Sequence, residues 1–230
     1  MSHDAHRPVR DKYPVDLRAI QLGVVAGLLA CVAYALVSIP SLPALATVML
    51  ATCFGPAFVV GSFGIRRLLD LERPHLSSAL GLLLNMLGAA LFSAMLLVQL
   101  AIGSLAGASK VSNQLVAIWL GLDVAWDAYF ALGTICFSLA MLRHPRFGRV
   151  FAFSGIALAA GLLAFHLYTF PMPPRKAGLV DLGPALGLWY LIVTIRMWRS
   201  FSWARGLAWA AADSAAPVSD ERWDADRITM

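Results

Sequence analysis

The sequence predicts an all-α polytopic membrane protein: a bundle of six transmembrane helices with both termini in the cytoplasm. Three observations predict it. The first is composition. Of 230 residues, 60% are hydrophobic and 13% charged, and the mean hydropathy is +0.74. An average soluble domain is about 45–50% apolar and about 25% charged. The second is the placement of charge. Of 13 acids only Asp123, Asp127 and Asp181 lie in long apolar runs, and the one Lys or Arg within a run is Arg196, at the end of the sixth. The third is the alternation of basic residues. Of 18 Lys and Arg, 15 fall before the first run, between runs two and three, between runs four and five, or at and beyond the end of the sixth. Three (Lys110, Arg175, Lys176) fall in the other compartment. Basic residues mark the cytoplasmic side. That rule also explains the net charge of +5 without nucleic acid. Together these exclude an ordinary soluble enzyme, a disordered chain and a secreted disulfide scaffold.

The elements follow in order. A helix needs about 20 apolar residues to cross hydrocarbon, and six segments qualify: 19–39, 44–65, 77–102, 115–142, 150–170 and 178–197. Residues 1–17 form a polar cytoplasmic arm. Helix 1 is read as an uncleaved span, because its apolar run continues past Cys31 to Ile39 and exceeds a signal-peptide core of about 7–15 residues. Its Gly23-Val24-Val25-Ala26-Gly27 face suits close packing within the bundle. In helix 2, Gly55-Pro56 is expected to break or kink the helix, since proline removes a backbone donor. Gly183-Pro184 is the matching break or gate in helix 6, and the two pairs suggest a weak internal repeat. Trp189-Tyr190 and Trp198 read as interfacial anchors, with an interfacial helix over 198–212 and a disordered tail over 213–230. Cys31, Cys53 and Cys136 lie within helices and form no C-x-x-C.

The chemistry concentrates in a polar layer. Asp123 and Asp127 are four apart and share one face of helix 4. Counting from the nearest cytoplasmic arginine, Tyr34 is 16 residues from Arg18, Asp127 16 from Arg143, Asp181 15 from Arg196 and His166 17 from Arg149. At the helical rise all four stand about 24 Å above the arginines, with Thr52 close to the same level and Asp123 one turn further out. Ligand or proton binding is therefore assigned to Asp123, Asp127, His166, Asp181 and Tyr34, with Asp127, His166 and Asp181 expected around one shared cavity.

Intramembrane acids cost on the order of 3 kcal/mol to insert and normally pair with something. The layer suits binding or transport of an ion or a small polar or cationic ligand. The alternative is a non-enzymatic scaffold or accessory subunit, the layer serving as hydrogen-bonding glue between helices. A metal-dependent or acid–base enzyme is third. Two Asp and one His suit a divalent ion, but no metal ligand is assigned. Besides the bilayer no partner is specified, no cofactor follows from these residues, and nothing indicates a homo-oligomer. Motifs of other chemistries are missing: there is no H-E-x-x-H, and Val60-Gly61-Ser62-Phe63-Gly64 lacks the first glycine of a nucleophile elbow.

Leu122-Asp123-Val124-Ala125-Trp126-Asp127, His144-Pro145-Arg146-Phe147-Gly148, Phe170-Pro171-Met172-Pro173-Pro174 and Asp181-Leu182-Gly183-Pro184 also stand out. Over residues 121–191 the chain resembles an uncharacterised bacterial integral-membrane family with no assigned activity. The resemblance implies a membrane bundle in a bacterial inner membrane and carries over no catalytic residue.

Overall fold

In hydrocarbon a backbone donor has only its own chain to bond to, so each apolar run closes its hydrogen bonds as a helix. The computed structural model describes residues 17–37, 39, 41–106, 113–169 and 180–215. They form α1 (Leu17–Val37), α2 (Ala44–Leu69), α3 (Leu76–Ala106), α4 (Asn113–Met141), α5 (Gly148–Thr169), α6 (Gly183–Arg199) and α7 (Phe201–Ala215). The first five are long and apolar enough to cross a membrane. Their outward faces are apolar too: Leu22, Val25, Leu29 and Val32 of α1 are all exposed. A surface of that kind meets lipid more readily than water.

Neighbours in sequence are neighbours in space. α1 packs most extensively on α2 and α3 on α4, α2 meets α3, α4 meets α5, and α6 closes the circuit against α1 with a lighter contact to α5. Small residues set the closest approach. A methyl group added at Gly23 would collide with the Gly64 Cα, and one at Gly61 would stand 3.0 Å from the Gly27 Cα. The small-residue face of α1 is therefore covered by α2 of the same chain.

Aromatic rings fill the centre. Phe92 lies 4.5 Å from Phe54 and 4.6 Å from Trp126 between centroids, and Phe130 lies 5.0 Å from Tyr190. Beside them runs a buried hydrogen-bond chain across three helices. Asn85 Nδ2 donates to the Tyr190 hydroxyl at 2.8 Å, which meets Thr134 Oγ1 at 2.9 Å, and Thr134 donates to the Phe130 carbonyl at 2.8 Å. At the arginine-rich end, Asp70 accepts from Arg66 Nε at 3.3 Å, from the His75 amide at 3.2 Å and from Ser78 Oγ, closing the α2–α3 turn. His144 packs edge-on against Trp203, its Nε2 bonds the Leu68 carbonyl at 3.3 Å, and its Nδ1 accepts the Arg146 amide at 3.2 Å.

Several expectations change here. α6 begins at Gly183, not at 178, and Pro184 sits in its first turn, where the missing amide hydrogen costs nothing. Gly183-Pro184 is thus a helix start and no internal break. α2 runs unbroken through Gly55-Pro56, so the two Gly-Pro pairs are not equivalent and the proposed repeat loses its basis. Gly55 serves packing, because a Cβ there would strike Ser93 of α3. Trp189 and Tyr190 are buried at 3% exposure each, so only Trp198 and Trp209 keep the anchor pattern. The helix expected over 198–212 is α7, and it reaches Ala215 into the expected tail. Leu17 opens α1. The remainder of the N-terminal arm, the segment 170–179 and residues 216–230 lie outside the described residues.

Candidate functional site

α4 and α5 form an antiparallel hairpin across the turn at 142–147, which brings the N-terminal half of α4 beside the last turns of α5. On α4 the buried face runs Leu120, Val124, Asp127, Ala131 and Thr134, a helical stripe with one acid in it. On α5 the buried positions Ala159, Leu162 and His166 follow the same logic. Packing these stripes together forces Asp127 and His166 to meet, and the His166 Nε2–Asp127 Oδ2 distance is 2.7 Å with both side chains 4% exposed. The other imidazole nitrogen is committed. Nδ1 lies 3.0 Å from the Leu162 carbonyl, which can only accept, so Nδ1 carries the hydrogen and Nε2 is the atom turned to the acid.

Asp123 completes the group. Its Oδ1 accepts the Trp126 indole hydrogen at 3.0 Å, which steadies the carboxylate from the same helix. One donor atom each from Asp123, Asp127 and His166 lies within 4.8 Å of the others. Asp127 Oδ1 is buried and has no hydrogen-bond partner among the described residues. Leaving such an atom unpaired costs about 1–3 kcal/mol, more for a charged group. The cluster is therefore two carboxylates and one imidazole inside apolar helices, with one lone-pair donor uncommitted.

The rest of the expected layer does not join this donor set. Asp181 is exposed, and its Oδ1 accepts the Gly183 amide hydrogen at 2.8 Å, which ties down the entry to α6. Tyr34 reaches the same place: a Cβ at Gly183 would stand 2.7 Å from the Tyr34 hydroxyl and 2.9 Å from Asp181 Oδ1. Tyr34 and Asp181 thus meet where α1 faces the start of α6, near enough to Asp123 and Asp127 for the charges to interact. Thr52 is exposed and turns its hydroxyl back to the Val48 carbonyl at 2.8 Å. Among the described residues, neither of the two cavities in the bundle is lined by Asp127, His166 or Asp181. The small central cavity is walled by Tyr34, Phe54, Phe58, Trp126, Phe130 and Tyr190, with no carboxylate in its lining. Trp126 is the common wall, its ring on the cavity and its indole nitrogen on Asp123.

Two features escaped the sequence reading. Trp126 as the holder of Asp123 was visible in principle, since a tryptophan three residues after an acid lies on the same helix face. The Asn85–Tyr190–Thr134 chain was signalled only by an amide within an apolar run, and its partner was taken for an interfacial residue.

No family model, characterised protein or solved structure matches this chain. Function is therefore read from the site itself.

Proposed function

We propose that the protein is a multi-pass bacterial inner-membrane protein that binds a small cation at Asp123, Asp127 and His166 and exchanges it with the outer face, as a transporter or a binding protein does. The observation that carries this is the convergence of the three donors around a buried carboxylate. Among the described residues, no Lys or Arg forms an ion pair with Asp123 or Asp127; Arg66 pairs with Asp70, and the basic group against Asp127 is the His166 imidazole. Because Nδ1 carries its own hydrogen, the 2.7 Å contact between Nε2 and Asp127 Oδ2 holds a further proton, and with Asp123 ionised the metal-free cluster carries one net negative charge in an apolar bundle. Uncompensated charge there is expensive, and a bound cation removes the cost.

The topology of the proposal has six crossings and both termini inside. α6 is 17 residues long, about 26 Å of helix, close to the roughly 30 Å of a hydrocarbon core. It packs on α1 and its Tyr190 bonds Asn85 of α3, which supports its place as a sixth crossing. The excess of arginine at the α2–α3, α4–α5 and α6–α7 end supports a cytoplasmic assignment for that end. The trio then lies toward the outer face, with the half-buried Asp123 nearer that face than Asp127.

The test is thermal unfolding of the full chain in lipid nanodiscs across a panel of sodium, magnesium, calcium, manganese and zinc salts at matched ionic strength. At least one cation should raise the midpoint of wild type and leave Asp127→Asn unmoved. If every salt shifts both proteins equally, the cation site does not exist.

A further inference from the structure

The donor set also discriminates between cations. We infer that the trio is a site for a divalent d-block metal ion of the zinc, cobalt or manganese class, held by His166 Nε2 and one carboxylate oxygen each of Asp127 and Asp123. This rests on the cation-binding proposal above and names the ion.

Four features of the site lead to this class. The first is the donor chemistry. An imidazole nitrogen with carboxylate oxygens suits borderline divalent metals. Calcium and magnesium take oxygen shells of six to eight and six ligands, and a nitrogen donor is wasted on them. The second is charge. Metal binding at Nε2 releases the proton shared with Asp127; two carboxylates and a neutral imidazole then bring −2, and a divalent ion makes the buried cluster neutral. An alkali ion leaves it at −1, which the apolar surroundings penalise.

The third is the orientation of the histidine. Nδ1 donates to the Leu162 carbonyl at 3.0 Å, which fixes the ring and points Nε2 at the acids. A metal-binding histidine almost always donates its second ring hydrogen to a carbonyl or carboxylate in this way. Trp126 does the equivalent for Asp123 through its indole hydrogen at 3.0 Å. The fourth is Asp127 Oδ1, a carboxylate oxygen of a residue 3% exposed that has no hydrogen-bond partner among the described residues.

The dimensions allow it. Ligands about 2.0–2.2 Å from a tetrahedral ion stand roughly 3.4 Å apart. The donors here lie within 4.8 Å of one another. Side-chain rotations of up to about 1.4 Å, which draw the widest pair together and open the 2.7 Å His166–Asp127 contact, bring them to that spacing. Three protein ligands leave a fourth position for water, the pattern of sites that exchange or act on something and not of closed structural sites.

The experiment uses the full chain in nanodiscs, stripped with chelator and titrated with Co²⁺ alone, followed by visible absorption and by equilibrium dialysis. One equivalent of Co²⁺ should bind with the ligand-field bands of a low-symmetry nitrogen–oxygen site, and Zn²⁺ should displace it. His166→Gln should abolish the bands. Trp126→Phe, which leaves all three ligands in place, should weaken binding about 10–100-fold, the range for outer-shell partners, and shift the bands. Asp181→Asn, which removes no ligand, should leave the ligand-field bands in place. Should His166→Gln fail to fold, Asp123→Asn and Trp126→Phe carry the comparison. If Co²⁺ and Zn²⁺ bind no better to wild type than to these variants while another cation still stabilises wild type over Asp127→Asn, the metal class is wrong and the cation site survives. If no cation distinguishes wild type from Asp127→Asn, both fall.

Discussion

Replacing Tyr190 by phenylalanine removes one oxygen and leaves the ring, so it isolates the buried hydrogen-bond chain between α3, α4 and α6. In wild type that oxygen accepts from Asn85 Nδ2 at 2.8 Å and meets Thr134 Oγ1 at 2.9 Å. Thr134 keeps its bond to the Phe130 carbonyl and loses little. Asn85 is fully buried, its Oδ1 already lacks a partner, and the substitution strands its amide hydrogens as well. Interhelical polar contacts in membranes average about 0.6 kcal/mol with a maximum near 1.7. A stranded buried donor adds about 1–3 kcal/mol in general. The expected loss is therefore about 1–3 kcal/mol. Removing both partners should be nearly harmless by the same logic, so Asn85→Leu with Tyr190→Phe should cost less than the sum of the singles by roughly 0.5–2 kcal/mol. The assay is reversible unfolding in mixed micelles, run as a four-member double-mutant cycle. Additive single effects, or a Tyr190→Phe variant as stable as wild type, would refute the assignment of this chain as glue.

Three further outcomes follow from the structure. Gly64→Val places side-chain atoms against the Gly23 backbone and should cost about 1–3 kcal/mol by overpacking; an unchanged unfolding midpoint would show that α1 and α2 are not in that contact. His144 lies outside the long helices, and burial pushes its imidazole below the ordinary histidine range, outweighing the bond to the Leu68 carbonyl. The unfolded chain then takes up a proton that the folded chain resists, so stability is full above about pH 6.5 and declines as pH falls below it. His144→Gln should flatten that decline, and identical pH profiles for the two proteins would remove His144 as its source. In intact cells, cysteines placed at Ser41, Ser109 and Ala177 should react with an impermeant reagent while those at Ser2 and Ser219 stay protected; the reverse pattern would invert the topology.

The long helices were legible in the sequence because hydrocarbon leaves the backbone no other choice. The same holds for the height of Asp127 and His166, since residue counts from the arginines convert directly to distance along a helix. What those counts do not carry is rotation about the helix axis. Asp181 was placed in the layer by height alone, yet it stands before α6 begins and turns to its own backbone. Asp123 stands one turn further out along α4, yet a side chain on the Asp127 face reaches the same donor cluster, and Trp126 steadies it there. Tyr190 resembled an interfacial tyrosine by composition, and only the packing of α6 on α1 brings it into the centre. Gly183-Pro184 reads alike as a break within a helix or as the start of one, and the difference lies in where the chain beyond it turns.

X-ray absorption at the metal edge of Zn²⁺-loaded protein in nanodiscs tests the central claim most directly. One ion per chain is expected, with one imidazole nitrogen and two carboxylate oxygens at about 2.0–2.2 Å plus a water. The imidazole scattering should be lost in His166→Gln. A shell containing sulfur, a shell of oxygens alone, or an imidazole signal that persists in His166→Gln would place the ion elsewhere and contradict it.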